Sequence, residues 1–135
     1  MNRYFCTNRK MLKKNRFSII VALVILFLSF AAPKTLSVFH VPDIPHLDKY
    51  VHTLMYFTLT FIMILENRNL LINTKNYIIL SSIPAIFGTA IEFMQTIFTT
   101  FRTGDFFDAC FNIFGILLAN LAWLLYKRLF NPQSK

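Results

Sequence analysis

Side chains able to do chemistry fall in three short stretches of this sequence. The first holds Asp48, Lys49, His52 and Tyr56, the second Glu92 and Gln95, and the third Arg102, Asp105, Asp108 and Asn112. Two carboxylates brought close together share a proton unequally, so that one serves as acid and the other as base; Glu92 and Asp108 are candidates for such a pair. His52 can shuttle protons near neutral pH. Lys49 and Arg102 suit an anionic group such as a lipid headgroup. Divalent-metal ligation by His52, Glu92 and Asp108 is the weaker reading, because no single segment has metal-ligand spacing, and the sequence assigns neither a metal nor a cofactor. Nucleophilic catalysis of the Ser–His–Asp or Cys–His kind lacks support, since neither Cys110 nor any serine shares a helical face with His52. No glycine-rich phosphate loop is present.

These polar residues are embedded in a very apolar chain. Of its 135 residues 56% are hydrophobic and 15% charged, with a mean hydropathy of +0.52, well outside the range of soluble domains. The formal net charge is +8. The basic residues cluster beside apolar runs rather than on an amphipathic face, which fits cytoplasmic flanks of a membrane protein better than a nucleic-acid surface. Cys6 and Cys110 make neither a disulfide framework nor a zinc site.

Hydropathy divides the chain into a basic tail (1–16), an all-α membrane domain of four transmembrane helices (17–126) and a second basic tail (127–135). The first span, Phe17–Ala32, is about 24 Å long as a helix. It also has the anatomy of a secretory signal, with Ser29-Phe30-Ala31 as a cleavage site; the spans that follow favour a retained, anchoring helix. Pro33, Pro42 and Pro45 mark a loop. Asp48, as N-cap or first-turn acid, opens the second span, Lys49–Leu65. Glu66, Arg68 and Lys75 lie in a polar connection. The third span is Tyr77–Phe98, with Pro84 and Gly88 inside it. The fourth is Asp105–Tyr126, where Trp123 and Tyr126 read as interfacial aromatics.

Loop charges set the orientation. Arg3, Arg9, Lys10, Lys13, Lys14, Arg16, Arg68, Lys75, Lys127, Arg128 and Lys135 fall on one side, against Lys34, Lys49 and Arg102 on the other. Both termini are therefore expected in the cytoplasm, in a multi-pass membrane protein. All three polar stretches then lie at the extracytoplasmic end.

The spacing within each span forms one helical seam: Lys49, His52, Tyr56 and Thr60; Ala85, Gly88, Glu92, Gln95 and Thr99; Asp105, Asp108, Asn112, Gly115 and Ala119. In the last two seams the outer half is polar and the inner half small. This predicts a bundle tight at its cytoplasmic end and open or water-filled at its outer end. Asn112 lies about 10 Å deeper than Asp105, too deep for headgroup decoration. A purely structural alternative is a set of Lys49–Asp and Arg102–Asp pairs stapling the helix ends, with Gln95 and Asn112 bonding across the seam.

The polar pattern resembles the VanZ family. Its D-K-x-x-H-x-x-x-Y element is matched by Asp48, Lys49, His52 and Tyr56, its E-x-x-Q by Glu92 and Gln95. The following arginine is matched by Arg102, and D-x-x-D-x-x-x-N-x-x-G by Asp105, Asp108, Asn112 and Gly115. The resemblance covers residues 17–126. It implies an envelope role: the family is named for a membrane protein associated with lowered susceptibility to teicoplanin, a glycopeptide that binds cell-wall precursors outside the membrane. Members also occur widely in bacteria without glycopeptide-resistance clusters. The expected partners are membrane lipids or a lipid-linked cell-wall precursor, and no nucleic acid. In that reading Lys49 and Arg102 hold an anionic group, with Asp48, Tyr56, Gln95, Asp105 and Asn112 completing the binding set, while His52, Glu92 and Asp108 manage protons. A non-catalytic scaffold whose polar seam only packs the helices is the competing reading. A small transporter would need oligomerisation, because polarity at one end gives a monomer no through-path.

Overall fold

The computed structural model describes residues 14–31, 47–71, 73–98 and 106–130. The described residues are all-helical: α1 (Arg16–Phe30), α2 (Leu47–Asn67), a 3₁₀ turn (Arg68–Leu70), α3 (Thr74–Phe98) and α4 (Phe106–Phe130). The basic residues 1–13, the proline loop, Thr99, Arg102, Asp105 and the C-terminal tail from residue 131 lie outside them. Of the four helices, α3 and α4, each 25 residues, are long and apolar enough to cross a membrane; α1 is apolar but has only 15 residues.

Each helix follows from its sequence. In α1, Ser18, Ala22, Ile25 and Ser29 recur at helical spacing and face inward; Ser18, Ile25 and Ser29 are buried. Asp48 lies inside the first turn of α2 and complements the positive end of the helix dipole rather than capping from outside. Pro84 is accommodated within α3 and buried. Lys127 and Arg128 in the last turn of α4 complement its negative end.

The helices α2 and α4 form the most intimate pair, with α1 packed on α2 and α3 on both. His52 meets Asn112 near the start of α2 and α4, and Ile64 clusters with Trp123 further along both, so the two helices run parallel. The helix α3 runs against them, bringing its C-terminal half to their N-terminal halves. One apolar cluster contains Ile25, Tyr56, Leu59, Met63, Ile91 and Ile116, from all four helices; a smaller one joins Ile64, Leu71 and Trp123. Outside these the shell is apolar too, with Phe27, Ile86, Phe93 and Leu117 more than half exposed.

Polar side chains bind the helices together at both ends. The Glu66 carboxylate, at the C-terminal end of α2, accepts from the Phe17 N–H (2.9 Å), the Ser18 N–H (3.2 Å) and the Ser18 hydroxyl. It thereby satisfies donors that the first turn of α1 cannot satisfy internally. At the far end of α1 the Gln95 amide donates to the Ser29 carbonyl (2.7 Å). Asn120 of α4 donates to Ser81 of α3 (2.9 Å) and, through its carbonyl, accepts from the same hydroxyl (3.1 Å).

Two expectations are corrected. Trp123 is not an interfacial aromatic: it is buried and donates from Nε1 to the Tyr77 hydroxyl (2.8 Å), because it continues the Ala119 seam by one four-residue step. Tyr126 is exposed and stacks on it. Nor is the bundle tight at the predicted cytoplasmic end. Gly115 meets the Thr53 backbone in the N-terminal halves of α4 and α2, and two apolar crevices lie beyond this contact toward the C-terminal end of α2. One, about 250 Å³, is walled by Ile19, Ala22, Leu59, Met63, Ile83 and Phe87; the other, about 240 Å³, by residues including Leu70, Leu71 and Leu80. Residue spacing tells which side chains share a face, but not how far apart two helix axes run.

Candidate functional site

The N-terminal turns of α2 and α4 and the C-terminal half of α3 converge on His52. Its position on the buried seam of α2, four residues before Tyr56, aims the ring at both neighbours. The His52 Nδ1 is 3.0 Å from Asn112 Oδ1. Glu92 Oε1 lies 3.6 Å from Nδ1, and Asp108 Oδ2 lies 3.9 Å from Nε2. The side chains of His52, Glu92 and Asp108 are only 4%, 9% and 12% exposed.

Most of the expected seam residues are buried, Lys49 and Ala85 are half-buried, and Thr99 and Asp105 lie outside the described residues. His52, Tyr56 and Thr60, then Gly88, Glu92 and Gln95, then Asp108, Asn112, Gly115 and Ala119 are all buried. Of the candidate site residues, His52, Glu92, Asp108 and Asn112 come together. Tyr56 fills the level below, its ring against Gly88, where an added Cβ would stand 2.9 Å from two ring carbons. Gln95 is turned to α1 and bonds the Ser29 carbonyl. Asp48 is exposed at the rim. Lys49 Nζ lies 5.0 Å over the Phe107 ring and 5.9 Å from Phe111, a cation–π arrangement. Arg102 and Asp105 lie outside the described residues.

Thr53 was not legible as part of this site. It abuts Gly115, donates to the Lys49 carbonyl (3.0 Å) and reaches the Phe111 carbonyl (3.4 Å), so it sets the separation of α2 and α4 directly beneath His52. A threonine beside the seam carries no signal for this until the partner glycine is known.

Electrostatics define what the cluster can do. Two carboxylates and an imidazole offer one donor atom each, all within 4.8 Å of one another. Negative charges that close, out of water, require a positive charge among them, supplied by a proton or a cation. An imidazole flanked by a carboxylate at each nitrogen can carry that proton and exchange it with either side. Compared with protein-family models, characterised proteins and solved structures, the chain matches none.

Proposed function

We propose that this chain is a VanZ-like integral membrane protein of the bacterial inner membrane. It spans the bilayer four times with both termini in the cytoplasm, and its polar cluster binds or acts on envelope lipids or lipid-linked cell-wall precursors at the outer face, with a role in teicoplanin susceptibility. The observation that carries this is the buried His52–Glu92–Asp108 cluster, assembled from three helices whose outer surface is apolar. Ionisable groups inside an apolar bundle are costly, and such groups mark functional sites in membrane proteins. The apolar shell and the span-length helices α3 and α4 support the membrane reading. Lys49, one turn before His52 on α2 with its ammonium over the Phe107 ring, supports an anionic ligand.

A scaffold role is the second reading, favoured by the bonds from Gln95 to Ser29 and between His52 and Asn112, which join helices as packing elements would. Glu92→Gln and Asp108→Asn separate the two. In cells expressing the chain, teicoplanin susceptibility and co-purification of anionic lipid are measured beside the amount of folded membrane protein. Loss of both readouts at unchanged abundance supports a working site. Readouts that fall only in step with abundance support the scaffold, and wild-type behaviour refutes proton chemistry at these carboxylates.

A further inference from the structure

We propose that His52, Glu92 and Asp108 bind one divalent transition-metal ion of the Zn²⁺ or Mn²⁺ type. The reasoning starts from the donor set. Three helices each contribute one ligand atom, all within 4.8 Å of one another, on side chains that are almost wholly buried. Donors sharing one Zn²⁺ at about 2.0–2.2 Å lie about 3.4 Å apart. Loading would close the donors by up to about 1.4 Å, with Glu92 approaching from the Nδ1 side of the ring and Asp108 from the Nε2 side. A divalent ion matches the combined charge of the two carboxylates. One imidazole among them selects a first-row transition metal over Mg²⁺ or Ca²⁺, which prefer all-oxygen sites.

Asn112 supplies the second, independent observation. Its carbonyl oxygen lies 3.0 Å from His52 Nδ1 and accepts that nitrogen's proton when the ring is in its Nδ1–H tautomer. The ring then presents the lone pair of Nε2 on the Asp108 side, the outer-partner arrangement that orients metal-ligating histidines. The Asn112 residue is 2% exposed, and its amide nitrogen has no acceptor among the described residues. A buried donor of this kind is costly until it meets an acceptor, and the oxygen of a metal-bound water or phosphate group is one. Three protein ligands leave a coordination position open. That position would take a phosphate oxygen of the envelope lipid, a step that rests on the functional reading above.

The test uses full-length chain purified in detergent, stripped with chelator and dialysed against Zn²⁺ or Mn²⁺, with metal per chain measured by mass spectrometry. About one ion per chain is expected, bound at least about tenfold more weakly in His52→Gln, Glu92→Gln and Asp108→Asn. Cys110→Ser, which removes an exposed thiol, leaves binding unchanged. Pulsed electron paramagnetic resonance on Mn²⁺-loaded wild-type protein should show coupling to an imidazole nitrogen, a readout independent of how the variants fold. Substoichiometric metal, equal affinity in all three variants, or absence of nitrogen coupling overturns the site. Lipid co-purification is scored on the same preparations. Metal-free protein whose lipid still depends on Glu92 refutes the metal alone, whereas metal bound with lipid indifferent to the variants refutes the lipid reading alone.

Discussion

Gly115 lies against the backbone of Thr53. A Cβ at this position would stand 3.1 Å from the Thr53 carbonyl carbon, 3.0 Å from the Phe57 nitrogen, and closer still to the Thr53 oxygen. Both partners are helical backbone, so neither yields without moving a helix. His52 and Asn112 lie within one turn of this contact, and their separation depends on it.

Gly115→Ala is therefore expected to drive α2 and α4 apart, at a cost of about 1–3 kcal/mol as an overpacked core position. Gly88→Ala meets the Tyr56 side chain instead of backbone and should cost less. Unfolding of both variants in detergent checks the order. An equal or larger loss for Gly88→Ala would contradict the role assigned to Thr53.

Glu66→Ala removes the acceptor that serves the Phe17 and Ser18 donors. The expected loss is about 0.5–2 kcal/mol, as for other N-cap deletions. Hydrogen exchange should accelerate at the first turn of α1 while remaining unchanged around His52. Glu66→Gln keeps an acceptor oxygen and should recover part of the loss. Uniform acceleration across the bundle would refute a local capping role.

Trp123→Phe and Tyr77→Phe each delete one partner of the 2.8 Å bond between α4 and α3 while keeping most of the apolar packing. The double-mutant cycle should give a coupling of about 0.5–1.5 kcal/mol. Additive losses would mean that the bond contributes nothing beyond packing.

The orientation is tested with single cysteines in a Cys6→Ser, Cys110→Ser background. Arg102→Cys should react with an impermeant thiol reagent on intact cells, and Asn69→Cys only after permeabilisation. The reverse pattern would invert the proposed topology and place the His52 cluster at the cytoplasmic face.

The parts legible in the sequence were those that depend on spacing within one helix. Steps of three and four identified the inward faces of α2, α3 and α4, because side-chain direction on a helix repeats with a fixed period. Alternating helix directions then placed His52, Glu92 and Asp108 at one level. Partnerships between distant residues were not legible. Glu66 looked like part of a polar connection, yet its partners lie 48 and 49 residues earlier. Trp123 was read from its nearness to the end of a span, a position that does not reveal a hydroxyl waiting on α3. Nor did His52, Glu92 and Asp108, scattered over 57 positions, carry a metal-binding spacing; only the bundle brings their donor atoms together.

The two tethers of α1 also have an order in time. Glu66 follows Phe17 by 49 residues, and Gln95 follows Ser29 by 66. At translation speeds of about 5–20 residues per second, α1 is synthesised seconds before either of its anchoring side chains. Its start can be clasped first and its end only later. The earliest of these four helices to be synthesised thus depends on two later ones before both its ends are held. A chain truncated between residues 66 and 95 would keep only the first of these tethers.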